Sequence, residues 1–351
     1  MHKLHLLLFL SSLIGSAVFH LIGAPMPFLL GGILGSAVFV LTFETPERKL
    51  PELTKWIRLV FISLIGTMIG SRFSPELLGI IPQFWATAAA IIPYILVAHA
   101  GNYWVMHRLG GYKKLDAYFA SLPGGIVDSI ALAEQMGADV RIVTAQHFIR
   151  IILVVVTVPL MFLFATGDAV GSLAGETLGR GVPDYLDLGL IGVLAMAGLF
   201  FGRRLRLPVS HMMGPMLLAL VLSVTGVIAI DTPAWLLSLA QFMVGTSLGA
   251  QFSGISRKLL LKGLGMGLIS GLYMLLLALM LAYALSPFVP VGFPAVFISF
   301  AAGGLTEMSL IALSLNLNPV IVALHHLARI FLTVWIGAIV AKRMFNFGSK
   351  T

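Results

Sequence analysis
The sequence predicts an all-α, polytopic membrane protein built from two inverted copies of one unit. Three observations predict it: a chain nearly empty of charge, apolar runs of membrane-crossing length from end to end, and an internal repeat at a constant offset. Of 351 residues, 59% are hydrophobic and 10% are charged. A water-soluble globule carries roughly 25% charged residues because its surface must face water. Most of this chain's surface therefore expects an apolar solvent, and the lipid bilayer is its first expected partner. The 37 glycines and 17 prolines suit helices that pack closely and break locally. Cysteine is absent, which excludes disulfides, thiolate catalysis and iron–sulfur clusters. The net charge of +8 could point to nucleic acid. Here the basic residues sit in short loops between apolar runs, where they act as topology signals, and no nucleic-acid partner is expected.

Each half reads as five long apolar segments and one short broken one. The long segments are 4–22, 25–43, 54–72, 80–106 and 140–166, then 186–202, 207–229, 234–252, 258–286 and 318–342. A span needs about 20 apolar residues to cross a ~30 Å hydrocarbon core. The broken segments, 114–137 and 292–316, are each interrupted by a Gly-Gly pair. The first run has a basic start and small residues at Gly15–Ala17, as in a cleaved signal peptide. It runs on into a second apolar run with almost no polar spacer, and is read as a retained first helix. The chain thus divides into a first membrane repeat (1–166), an extracytoplasmic linker (167–184) and a second membrane repeat (185–351).

The repeat is explicit. Residues 124–150 lie over 303–329 at an offset of 179 without a gap, and seven of 27 positions are identical: Gly124, Gly125, Ala133, Ile142, Val143, His147 and Arg150 with their counterparts. Asp128 falls on Glu307. The same offset pairs GTMIGSRFS (66–74) with GTSLGAQFS (245–253), and an offset of 183 pairs Pro25 and Gly31 with Pro208 and Gly214. Loop charge then decides whether the broken segment crosses. If it enters and leaves on one face as a re-entrant hairpin, each half has five crossings and the halves are inverted. With the N-terminus inside, 18 of the 22 Lys and Arg residues fall on the cytoplasmic side. A full crossing would move the clusters at 203–206 and 257–262 outside, against the positive-inside rule. Inverted repeats with broken helices are a transporter pattern.

The breaks hold the candidate site. Pro123, Gly124 and Gly125 lie about nine residues into the first hairpin, ~14 Å at 1.5 Å per residue, and Gly303 and Gly304 occupy the matching place. Freed backbone groups there must line a polar cavity or be buried in protein, so the tips are either solute-facing or packing notches. Asp128 and Glu307 follow three residues later. At membrane depth an ionisable group has a functional role by default, but a helix-capping role is the alternative. Ser129, Thr306 and Ser309 could add oxygen ligands. His147 and Arg150, like His326 and Arg329, are spaced i,i+3 and share a helix face. Arginines there either bridge to Asp128 and Glu307 or hold an anionic substrate while the histidines relay protons. His325 and Gln146 read as secondary. No catalytic constellation, resident metal or cofactor is expected.

The duplicated PGG(x)₃[D/E]…H-x-x-R segments, with the Pro…Leu-Leu-Gly element at 25–31, resemble the bacterial AbrB-type membrane family over essentially the whole chain. Its members carry labels such as AbrB duplication, aidB regulator and ammonia monooxygenase, and it is distinct from the small DNA-binding AbrB regulator. The second copy departs from the pattern, with Ala302 for Pro123 and Asn318-Pro319 for Asp139-Val140. More distantly, the architecture looks like cation/proton antiporter and anion transporter folds. The expectation is a multi-pass protein of the bacterial inner membrane, N-in and C-in, not an enzyme. It would be a secondary active transporter of a small polar or anionic solute, coupled to H⁺ or Na⁺, with a homodimer as a candidate assembly. The rival is a membrane-embedded sensor that regulates gene expression through a partner.

Overall fold
The computed structural model describes residues 2–43, 55–73, 81–166, 185–205, 207, 209–253 and 257–345. The linker 167–184 lies outside them. Among the described residues there are fourteen α-helices and no strand. They are α1 (His2–Leu21), α2 (Pro27–Phe43), α3 (Lys55–Gly70), α4 (Trp85–Trp104), α5 (Lys114–Ala120), α6 (Ile126–Gln135) and α7 (Val140–Thr166). The second half holds α8 (Tyr185–Arg204), α9 (Ser210–Val224), α10 (Ala234–Ala250), α11 (Arg257–Leu285), α12 (Gly292–Phe300), α13 (Leu305–Ser314) and α14 (Pro319–Met344). Every apolar segment read from the sequence is a helix, and both broken segments are two short helices.

Six helices are long and apolar enough to cross a membrane: α1, α4, α7, α8, α11 and α14. The other four long segments form shorter helices, α2, α3, α9 and α10, of 15–17 residues. At 1.5 Å per residue these reach only ~22–26 Å. Two of them start late for a visible reason. Met26 and Val209, 183 residues apart, take positive φ (45° and 47°) just before α2 and α9. Left-handed backbone at a side-chain-bearing residue stops helix from extending backwards and costs about 1–3 kcal/mol.

The chain forms two compact units. One contains 1–81, 156–254 and 306–320, and the other 82–155, 255–305 and 321–351. In the first unit, glycines bring helix backbones together. A Cβ at Gly66 or Gly70 of α3 would strike the carbonyls of Met212 and Met216 on α9. A Cβ at Gly245 or Gly249 of α10 would strike those of Leu29 and Ile33 on α2. These crossings interchange under the two offsets in the sequence, 179 for the glycines and 183 for the carbonyls. Gly15, Gly31 and Gly35 join α1 to α2, as Gly198, Gly202 and Gly214 join α8 to α9. Small residues at such crossings let helices gain close van der Waals contact where lipid offers no hydrophobic drive. Large apolar side chains stay exposed on the outer faces, among them Leu6, Leu13 and Ile14 of α1 and Val193 and Phe200 of α8.

The second unit holds α4, α5, α6, α11, α12, the first part of α7 and most of α14. Its core gathers Tyr118, Phe119, Leu122, Ala133, Met136, Val143 and Ala341. Tyr118 donates its hydroxyl to the Gly337 carbonyl (2.8 Å), and Tyr273 of α11 donates to Val97 O of α4 (2.9 Å). Gly267 and Gly271 of α11 admit Ile149 and Leu153 of α7. These contacts fix the long helices that carry His147, Arg150, His326 and Arg329.

Candidate functional site
The first break begins where α5 ends, and Ser121, Leu122 and Pro123 beyond it are buried. Proline has no N–H, so the carbonyl four residues back, on Phe119, loses its regular helical partner. That carbonyl keeps only a long 3.5 Å bond from Leu122 N–H. His147 Nε2 lies 3.0 Å away and supplies another. Gly125 opens α6 with φ 67°, a conformation that favours glycine, and a Cβ there would meet Val334. Ser129 Oγ braces the tip by donating to Gly124 O (3.1 Å).

Both broken segments close alike. Gly137 (φ 82°) ends α6, and Ala138 N–H returns to Ala133 O. Asn316 (φ 55°) ends α13, and Leu317 N–H returns to Ala312 O. Asp139 then accepts the Arg141 N–H, and Asn318 accepts the Val320 N–H, each two residues on. The side-chain bond from Arg141 also holds the Asp139 carboxyl below the usual carboxylate range. Replacing Asp139-Val140 by Asn318-Pro319 therefore leaves the local architecture intact, since Asn also caps and Pro suits the first helical position.

The two arginines are almost fully buried, Arg150 at 3% exposure and Arg329 at 2%. Arg150 donates from Nη1 to Leu122 O (2.8 Å) and from Nη2 to His147 Nδ1 (2.9 Å). His147 must then carry its proton on Nε2, where it meets Phe119 O, so the network fixes a neutral tautomer. Arg329 donates from Nη1 to Phe300 O (3.1 Å) and Ala301 O (3.0 Å) and from Nη2 to Gly303 O (3.3 Å). His326 faces Val322 O through Nδ1 (2.9 Å) and Ala301 O through Nε2 (3.2 Å).

No ion pair joins Arg150 to Asp128 or Arg329 to Glu307, whereas one does join Arg141 to Asp139. The bridging alternative fails for a physical reason. Helix breaks free carbonyls at membrane depth, and the guanidinium groups satisfy those instead. Asp128 is exposed in the first turn of α6. Glu307 is buried in the other unit, within the field of Arg58. Thr306 Oγ1 faces Met212 Sδ at 3.7 Å, and Ser309 is buried without a partner. Gln146 donates to Tyr112 OH (2.9 Å) and Gly263 O (3.1 Å), while His325 contacts Thr87 Oγ1 and Ile321 O, both at 2.8 Å.

What comes together in one unit is therefore Pro123, Gly124, Gly125, Ser129, His147, Arg150, Gly303, Gly304, His326 and Arg329. Gly124 stands beside Arg329: a Cβ there would lie 3.7 Å from its Nε. The tip of the first break and the carbonyls of the second thus converge on one guanidinium. Sequence reasoning missed Tyr94 of α4. It is buried with its ring 5.3 Å from that of Phe300, whose carbonyl Arg329 holds, and its hydroxyl has no hydrogen-bond partner. The offset of 179, which pairs Tyr94 with Tyr273, was the signal that could have found it.

A charge-poor helical chain with glycine crossings, two helix breaks and buried arginines at both defines a polytopic membrane protein. Residues 28–345 match the family described as "Transition state regulatory protein AbrB", and the chain belongs to that family in its membrane-type form. It is 25% identical over 342 residues to a protein of Escherichia coli (strain K12) named "Putative regulator AbrB", covering 97% of this chain and 96% of that one. It is 22% identical over 299 residues to "Uncharacterized protein YhjN" of Bacillus subtilis (strain 168), covering 80% of this chain and 76% of that one.

Proposed function
We propose that this chain is a secondary active transporter of a small anionic solute, working in the bacterial inner membrane as two inverted repeats. One observation carries the reading: both helix breaks are held by buried arginines of the same unit, and neither arginine is paired with a carboxylate. A structural arginine at membrane depth needs a counter-charge or carbonyls. Here the carbonyls use the Nη groups and leave the positive charge uncompensated, which suits an anion that comes and goes. The reciprocal glycine crossings of α3 with α9 and of α10 with α2 support the inverted repeats. Coupling to H⁺ or Na⁺ is assigned to Glu307, the buried carboxylate of the other unit.

Proteoliposomes on a solid-supported membrane test the transport. A jump of a small organic anion should give a current that grows with an inward H⁺ or Na⁺ gradient, and Glu307→Gln should remove that gradient dependence. Absence of current for every anion and gradient combination would reject a transporter. The orientation, N-in and C-in with 167–184 outside, rests on the loop charges. Cysteines at Ser172 and Lys350, both outside the described residues, should label from opposite sides of intact cells. The name of the Escherichia coli relative favours a second reading, a membrane-embedded sensor acting through a partner. Specific co-purification of a cytosolic protein, with no flux, would select it.

A further inference from the structure
Among the buried donors of the second unit without a hydrogen-bond partner are Arg150 Nε, Arg329 Nε and the Tyr94 hydroxyl. Arg150 is 3% exposed, Arg329 2% and Tyr94 2%. They are neighbours: Arg329 holds Phe300 O, and the Phe300 ring packs on Tyr94 with centroids 5.3 Å apart, while Arg150 holds Leu122 O, two residues before the glycine beside Arg329 Nε. Like charges on neighbouring groups away from water repel and raise the energy of the site. A buried donor left unmade carries a further cost. Such donors, with a glycine whose Cβ would already touch Arg329 Nε at 3.7 Å, suit an acceptor with negative charge.

We infer that Arg150 Nε, Arg329 Nε and the Tyr94 hydroxyl together hold the carboxylate of a small organic acid. This deepens the proposed transport reading and rests on it for its location. A carboxylate has two oxygens with about four acceptor sites in one plane, which three donors nearly saturate. Phosphate or sulfate has more oxygens and would bury several of them unbonded. Ile330, next to Gly124 with its Cα 3.6 Å from where a Cβ would stand, offers an apolar wall for a short carbon chain. The Nη groups stay on the helix breaks, so binding does not have to dismantle the fold.

The experiment uses the full-length protein purified in detergent, with melting followed against acetate, lactate and succinate and, separately, chloride, phosphate and sulfate. At least one carboxylate should stabilise the protein more than any inorganic anion. Tyr94→Phe removes one hydroxyl and keeps the ring. It should weaken that carboxylate about tenfold, the loss expected for one hydrogen bond to a charged group, with melting in its absence unchanged. Tyr273→Phe, at the matching position but with a hydroxyl already bonded to Val97 O, should bind like the unaltered protein. The inference is overturned if inorganic anions stabilise equally well, if no carboxylate stabilises, or if Tyr94→Phe binds as before. Carboxylate binding sensitive to Tyr94 but without flux would keep this inference and remove the transporter. Flux of another solute with no carboxylate binding would do the reverse.

Discussion
At the first break Arg150 divides its Nη groups between one carbonyl, Leu122, and the ring of His147. At the second, Arg329 gives its Nη groups to three carbonyls and none to His326. The motif is the same and so is its spacing. Among the residues that differ is Pro123, which stands where the second copy has Ala302. Proline strips Phe119 of its helical donor, His147 turns Nε2 to that oxygen, and its Nδ1 is left facing Arg150 as an acceptor. At the second break the ring of His326 points instead to Val322 O and Ala301 O. A proton relay through His147 is thereby disfavoured, since both its nitrogens are committed. A repeated motif can keep its spacing and still assign different work to each copy.

The largest test of this comparison is removal of the two guanidinium groups. Arg329→Gln removes the donors of Phe300 O and Gly303 O, while Ala301 O keeps His326, and Arg150→Gln strands Leu122 O and His147 Nδ1. At about 1–3 kcal/mol for each group left unsatisfied, each replacement should cost at least about 2 kcal/mol. Losses well below that in detergent unfolding would mean that the guanidinium bonding has no energetic weight.

A smaller effect is expected from Pro123→Ala. The restored N–H can serve Phe119 O, so His147 loses its reason to hold the Nε2 proton. Stability should move by no more than about 1 kcal/mol, the net worth of one hydrogen bond. The nitrogen chemical shifts of His147 should change tautomer or begin to average, while those of His326 stay put. An unaltered His147 spectrum would separate the ring's orientation from the proline.

The smallest effect belongs to Asp128. It is exposed and unpaired with Arg150, so Asp128→Asn should stay within ~0.5 kcal/mol of the original stability, as surface substitutions do. A loss of several kcal/mol would restore the buried bridge between them.

The sequence by itself determined that this is a helical membrane chain, where each long helix lies within a few residues, and that two segments break at Gly-Gly. Those properties are local: apolar run length, proline and glycine act through the chain within a turn or two. It also determined the caps after each break, because Gly137 and Asn316 suit left-handed backbone and Asp139 and Asn318 can take an N–H two residues on. The partners of the buried charges were decided only by tertiary structure. Spacing placed Asp128 near Arg150 and Glu307 near Arg329 along the chain, yet the arginines met carbonyls from 26 to 29 residues away. Tyr94 entered the site from a separate helix, with no motif around it. Which donors remain free depends on how distant backbone groups are satisfied at the same time, and no single segment of the sequence contains that sum.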